Sequence, residues 1–69
     1  MGYNIYKQMN HFKNDLEKKR GNLKNLTKNE FGKALMLYFG MRKKTAVEWI
    51  DNFVEVGIIS IDNGFVKFQ

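Results

Sequence analysis

The chain of 69 residues contains no cysteine and no proline, and only one histidine. Without cysteine, neither disulfides nor thiolate metal sites can supply stability, and a His/Cys metal site within one chain is excluded. No stretch approaches the ~18 consecutive apolar residues of a membrane span, and no signal-peptide core is present. Met1-Gly2 matches the start of a myristoylation signal, but position 6 is Tyr where Ser or Thr is expected. The chain therefore reads as soluble and cytoplasmic. Also missing are a Gly-rich phosphate loop, a nucleophile elbow and any metal-ligand spacing. His11 has no cysteine near it and reads as a surface or partly packed side chain rather than a base. Asp15 and Glu17 sit on a Lys-rich helix, where local ion pairs are the expected role rather than a catalytic dyad. The chain reads as a non-enzyme, with no cofactor and no metal.

At this length the chain is one small domain, residues 1–69, with a thin core that needs efficient packing or a partner. An apolar fraction of 43% fits a globular domain rather than a disordered tail. There is no internal repeat and no low-complexity tract. Net charge is +5 with a pI near 9.6, unevenly spread. Residues 1–44 hold eleven Lys or Arg against Asp15, Glu17 and Glu30; residues 45–69 hold only Lys67 against Glu48, Asp51, Glu55 and Asp62. A basic segment of this kind attracts phosphate backbones or acidic protein surfaces.

The most specific local signal is Asn63-Gly64, suited to a two-residue turn in which both central residues take positive φ. That turn pairs Asp62 with Phe65, Ile61 with Val66, Ser60 with Lys67 and Ile59 with Phe68. Because side chains alternate along a strand, Ile59, Ile61, Val66 and Phe68 fall on one face, and Ser60, Asp62, Phe65 and Lys67 on the other. Phe65 is thus left on the polar face. It is read as packing on a neighbouring helix, with contact to a partner as the alternative.

Three helices precede the hairpin. From about 5 to 20, Ile5, Met9, Phe12 and Leu16 form one helical stripe, closed by Lys18, Lys19, Arg20 and Gly21. Leu23 and Leu26 can pack from the connection. Thr27 and Glu30 form a capping-box sequence opening a helix over about 28–39, which buries Phe31, Ala34, Leu35 and Tyr38 and ends at Gly40. Met41 plugs the angle to the third helix, about 44–56, where Ala46, Ile50, Phe53 and Val54 share one face with Val47 and Trp49 at its margins. Trp49 and Phe53 can be taken for a stacking platform, but their helical spacing assigns them to the core. The hairpin occupies about 58–68. The fold class is α+β, mainly α: three helices followed by a C-terminal two-stranded β-hairpin.

This order resembles the winged helix-turn-helix DNA-binding family, over residues 27–68. The resemblance rests on Thr45 near the start of the third helix, on apolar residues at 46, 50 and 53, and on the passage Val56-Gly57-Ile58-Ile59 into the wing. It implies a third helix in the major groove of double-stranded DNA, its N-terminal residues near base edges. Arg42, Lys43, Lys44 and Thr45 match those positions, with Glu48 and Asn52 further along. Thr27, Lys28 and Asn29 would meet phosphates through free N–H groups at a helix N-terminus, and Asn63 and Lys67 of the wing would brush the backbone or minor groove. The function implied is a small transcription regulator. It would work as a homodimer through the long first helix, with Tyr3 and Tyr6 near that surface.

One feature departs from the family pattern. At 100° per residue, the exposed arc of the third helix carries Lys44, Thr45, Glu48, Asp51, Asn52 and Glu55. A carboxylate can accept from cytosine, but three of them along a helix oppose entry into an anionic groove. This favours shallow docking by the turn and the first turn of the third helix. The alternative is a protein-interaction winged helix, an accessory module in a replication or regulatory assembly, whose acidic third helix or basic first helix contacts a protein partner.

Overall fold

The apolar stripe of the first segment requires a covering surface, and the rest of the chain wraps around it. A computed structural model describes residues 5–69; Tyr3 lies outside the described residues. Helix α1 spans Ile5–Arg20, α2 Lys28–Phe39 and α3 Lys43–Glu55, followed by strands β1 (Ile59–Asp62) and β2 (Phe65–Phe68). Three helices and a terminal antiparallel hairpin reproduce the expected fold class and the layout of a winged helix. No helix among the described residues is long and apolar enough to cross a membrane.

Each element contributes its predicted face to a single core. Ile5, Met9, Phe12 and Leu16 of α1 meet Phe31 and Leu35 of α2, Ala46, Ile50 and Phe53 of α3, and Ile59 and Val66 of the hairpin, with Leu26 wholly buried from the connection. No polar side chain is buried among the described residues. Met41 packs against the core from the α2–α3 turn, as does Trp49 from the margin of α3. Phe53 is fully buried, so the Trp49–Phe53 pair belongs to the core. Tyr6 closes this end of α1 edge-on to Trp49 and Phe53, with centroids 5.6 and 6.0 Å away.

The hairpin register is the one expected, Ile59 opposite Phe68 through Asp62 opposite Phe65. Asn63 and Gly64 take φ of 54° and 82°, the paired positive values that a tight turn of this hand demands. The hairpin is also more firmly held than the sequence suggests. The Val66 N–H donates to Leu26 O at 2.6 Å, Phe65 pairs with Thr27 in an isolated bridge, and the Lys28 N–H donates to Gly64 O at 3.2 Å. Residues 26–27 thus act as a third short edge, and β2 becomes the centre of the sheet.

Four expected burials are corrected. Ile61 is exposed, because it lies near the tip of the outer strand, whereas Val66 opposite it is covered on both sides. Val54 is exposed at the flank of α3. Tyr38 keeps one edge in water while its ring packs on Phe12 and Phe39, and Ala34 is half-buried at the α1 side of α2. Phe65 remains at the surface, outside the core. The third helix begins one residue earlier than expected and ends at Glu55, with Val56 as its cap.

Helices α2 and α3 cross at Gly32, where an added Cβ would lie 3.7 Å from Ile50 Cδ1, an ordinary contact. Glycine inside a helix costs about 0.5–1 kcal/mol relative to alanine. Gly32→Ala is therefore expected to raise stability by an amount of that order in urea unfolding. A loss of stability would show that the crossing has no room for a methyl group.

Candidate nucleic-acid interface

The residues expected to touch DNA do not form one surface. Three of them, Lys28, Asn29 and Lys43, line a groove of about 530 Å³ between α2 and α3. Its floor is apolar, from Gly32, Met36, Ala46, Val47 and Ile50, and its rim gains Lys33. No carboxylate lines it. Lys28, Lys33 and Lys43 are all exposed, and none of them forms an ion pair among the described residues. The sequence reading missed Lys33, although Asn29 and Lys33 stand one helical turn apart on the same flank of α2.

Arg42 is the N-cap residue of α3, in extended conformation and with no side-chain cap bond. Its guanidinium and the Lys44 ammonium project from the start of that helix into solvent, and neither has an ion-pair partner among the described residues. Thr45, Glu48 and Asn52 are exposed further along, as are Asp51 and Glu55, so the acidic arc anticipated for this helix is in place.

The N-terminus of α2 differs from the open anion site anticipated. Thr27 and Glu30 complete a reciprocal capping box: the Glu30 N–H donates to Thr27 Oγ1 at 3.1 Å, and the Thr27 N–H donates to Glu30 Oε1 at 3.2 Å. The Lys28 N–H is taken by Gly64. Donors expected to face phosphate at Thr27 and Lys28 are therefore occupied within the chain, and Thr27 is a structural residue. The Lys28 side chain remains exposed.

Arg20 joins the same knot. It donates to the carbonyls of Asn22 and Lys24 at 2.8 and 3.2 Å and pairs with Glu30 at 3.3 Å, fastening the end of α1 to the start of α2. Lys19 pairs with Asp15, so the basic triplet 18–20 is largely engaged within the chain. The Thr27 backbone N–H holds the Glu30 carboxyl below its ordinary 4.5 against the opposing effect of desolvation, with a lesser contribution from Arg20. A carboxyl depressed in the folded state stabilises fully above its unfolded pKa, and that contribution is lost as pH falls through the lower folded value. Glu30→Gln is thus expected to be less stable than the parent at pH 7, with the gap narrowing at an acid pH below the ordinary carboxylate range. Melting temperatures of both proteins at the two pH values check this; a gap that persists undiminished in acid refutes it.

Asn63 and Lys67 lie in a different groove, of about 730 Å³, between residues 22–25, Lys13 and Glu17 of α1, and β2, whose residues from both faces line it. It shares no lining residue with the α2–α3 groove. Lys28, at the rim of the α2–α3 groove, donates its N–H to Gly64 of the hairpin turn. His11 is exposed on α1 near Asn14, Asp15, Lys18 and Tyr38. Comparison with known proteins yields no matching family model, no matching curated protein and no matching solved structure.

Proposed function

We propose that this protein binds duplex DNA along the edge of its helix-turn-helix unit, as a small transcription regulator of winged-helix type. The observation that carries this reading is the α2–α3 groove, rimmed by Lys28, Lys33 and Lys43 and by no carboxylate. Arg42 and Lys44 extend the same positive edge at the start of α3. Cations without internal partners are suited to neutralising phosphates, whereas those of residues 19–20 are already engaged. Thr45 is the residue closest in sequence to these cations that can reach a base edge, with Asn29 alongside Lys28 on α2. Glu48 and Asn52 lie on the acidic stretch that keeps the rest of α3 from sinking deep into the groove of the DNA. The apolar stripe of α1 is spent on the core, so two copies on adjacent half-sites would meet through the exposed part of α1 around Tyr6.

A second reading is a protein-interaction module. It draws on Leu37, 82% exposed on α2, together with the acidic arc of α3. Salt titration separates the two. Affinity for a generic duplex of about 20 base pairs should fall steeply with salt, and the slope should flatten when Lys28, Lys33 and Lys43 are replaced by alanine. Absence of measurable duplex binding at low salt would sink the DNA reading and leave the interaction module.

A further inference from the structure

The groove between residues 22–25, α1 and the hairpin has a composition that contact with a duplex backbone does not require. Its first component is an aromatic ring. Phe65 is 37% exposed on β2, and its strand is held on one edge by β1 and on the other by Thr27. The strand that carries this ring is paired on both edges, so the ring is presented to water from a fixed backbone. Its second component is positive charge from three separate elements: Lys13 of α1, Lys24 of the connection and Lys67 of β2. None of these three lysines forms an ion pair among the described residues, and Lys13 Nζ lies 5.5 Å from the centroid of the Phe68 ring in the same groove.

The third component is amide chemistry. Asn25 and Asn63 both line the groove, each held at positive φ, 55° and 54°. Their side chains offer donors and acceptors together. Asn22 lines it too, but its side-chain oxygen already accepts the Lys24 N–H at 2.9 Å.

A ring for stacking, dispersed lysines and free amides match what an unpaired nucleotide strand displays: π faces, phosphates and base edges. A duplex hides the faces within its stack. The geometry points to single-stranded nucleic acid as the ligand of this groove, with a base stacked on Phe65, phosphates met by Lys13, Lys24 and Lys67, and base edges read by Asn25 and Asn63. Glu17 and Asp62 share the lining. They reduce its net charge, so stacking rather than charge carries the affinity, and they can accept from base amino groups. This site stands independently of the duplex reading, since the two grooves have no lining residue in common.

Fluorescence anisotropy with labelled ten-residue oligo-dT and oligo-rU, and with a duplex of generic sequence, tests the assignment at low salt. Phe65→Ala is expected to weaken single-strand binding by about tenfold, in line with the loss of one stacked base, and to leave duplex affinity unchanged. Phe65→Trp should retain or improve single-strand binding. Lys24→Ala combined with Lys67→Ala should weaken it further and flatten its salt dependence. Comparing dT with rU shows whether the sugar is distinguished; saturable binding of either supports the site. Saturable binding of neither overturns it, and so does a Phe65→Ala protein that binds single strands as the parent does, or one that loses duplex affinity equally. Should Phe65→Ala fail to fold, Phe65→Leu removes the ring while keeping apolar bulk; unchanged single-strand affinity in that variant overturns the proposal. Loss of the duplex arm alone would sink the helix-turn-helix reading and leave this one standing.

Discussion

Phe31→Ala is expected to lose about 3–5 kcal/mol of stability, a large share of what holds this fold together. Phe31 is wholly buried, and its ring sits edge-on to Phe12 of α1, Phe53 of α3 and Phe68 of β2, with centroids 5.6, 6.3 and 5.7 Å away. Its ring contacts join α2 to the first helix, the third helix and the hairpin. Truncating a buried Phe costs about 3–5 kcal/mol, through lost transfer free energy and the cavity left behind. A domain of this length has about 3–10 kcal/mol in total. The loss therefore consumes a large share of the whole, and no disulfide compensates. Urea unfolding followed by far-ultraviolet circular dichroism measures it, and a loss below about 1 kcal/mol would contradict the central position assigned to this ring. The same truncation at Phe65 should change stability much less, because that ring lies outside the core.

The contrast between Phe31 and Phe65 indicates what could be read in advance. Helical periodicity singled out Phe31 because its neighbours at three and four residues, Ala34 and Leu35, lie on the same stripe. The Asn63-Gly64 turn singled out Phe65 as an odd residue, because a two-residue loop leaves a single register and a single sorting of faces. Both inferences use local rules, and both describe the structure correctly. The burial of Ile61, Val54 and Tyr38 was overestimated because periodicity gives a direction on an element and not the distance to the next one. Ile61 points the right way but lies beyond the reach of the helices, near the tip of the outer strand. The pairing of Leu26 and Thr27 with β2 was not legible either. Two residues ahead of a helix cap have no period to reveal, and their strand character comes from the hairpin that docks on them. That docking occupies the Lys28 N–H, and the capping box takes that of Thr27. The site suffered most from this gap: Asn63 and Lys67 seemed to belong with Lys43 because a wing was expected to reach around the DNA. The backbone bonds to Leu26 and from Lys28 instead place β2 beside residues 22–25.

Replacing Lys28, Lys33 and Lys43 together by alanine should produce the largest change in duplex binding, and its signature is the salt slope rather than the affinity at one condition. Each phosphate neutralised by a cation contributes about −0.9 to the slope of log K against log salt. Three lost contacts flatten the slope by roughly 2.7, so raising salt from about 50 to about 200 mM costs the parent around 40-fold more affinity than the variant. The two proteins should differ most at low salt and converge as salt rises, because the variant lacks only counterion-releasing contacts. All three side chains are exposed and free of internal ion pairs among the described residues, so the fold should be unaffected; circular dichroism of the variant checks this. Lys18 offers an internal control. It is exposed on α1 and lines neither the α2–α3 groove nor the hairpin groove, so Lys18→Ala should change the slope little. An equal flattening from Lys18→Ala would mean that net charge alone drives binding, with no preferred edge. An unchanged slope in the triple variant would remove the α2–α3 groove from the DNA contact altogether. Flattening confined to the triple variant locates the phosphates at the α2–α3 groove, which no carboxylate among the described residues lines.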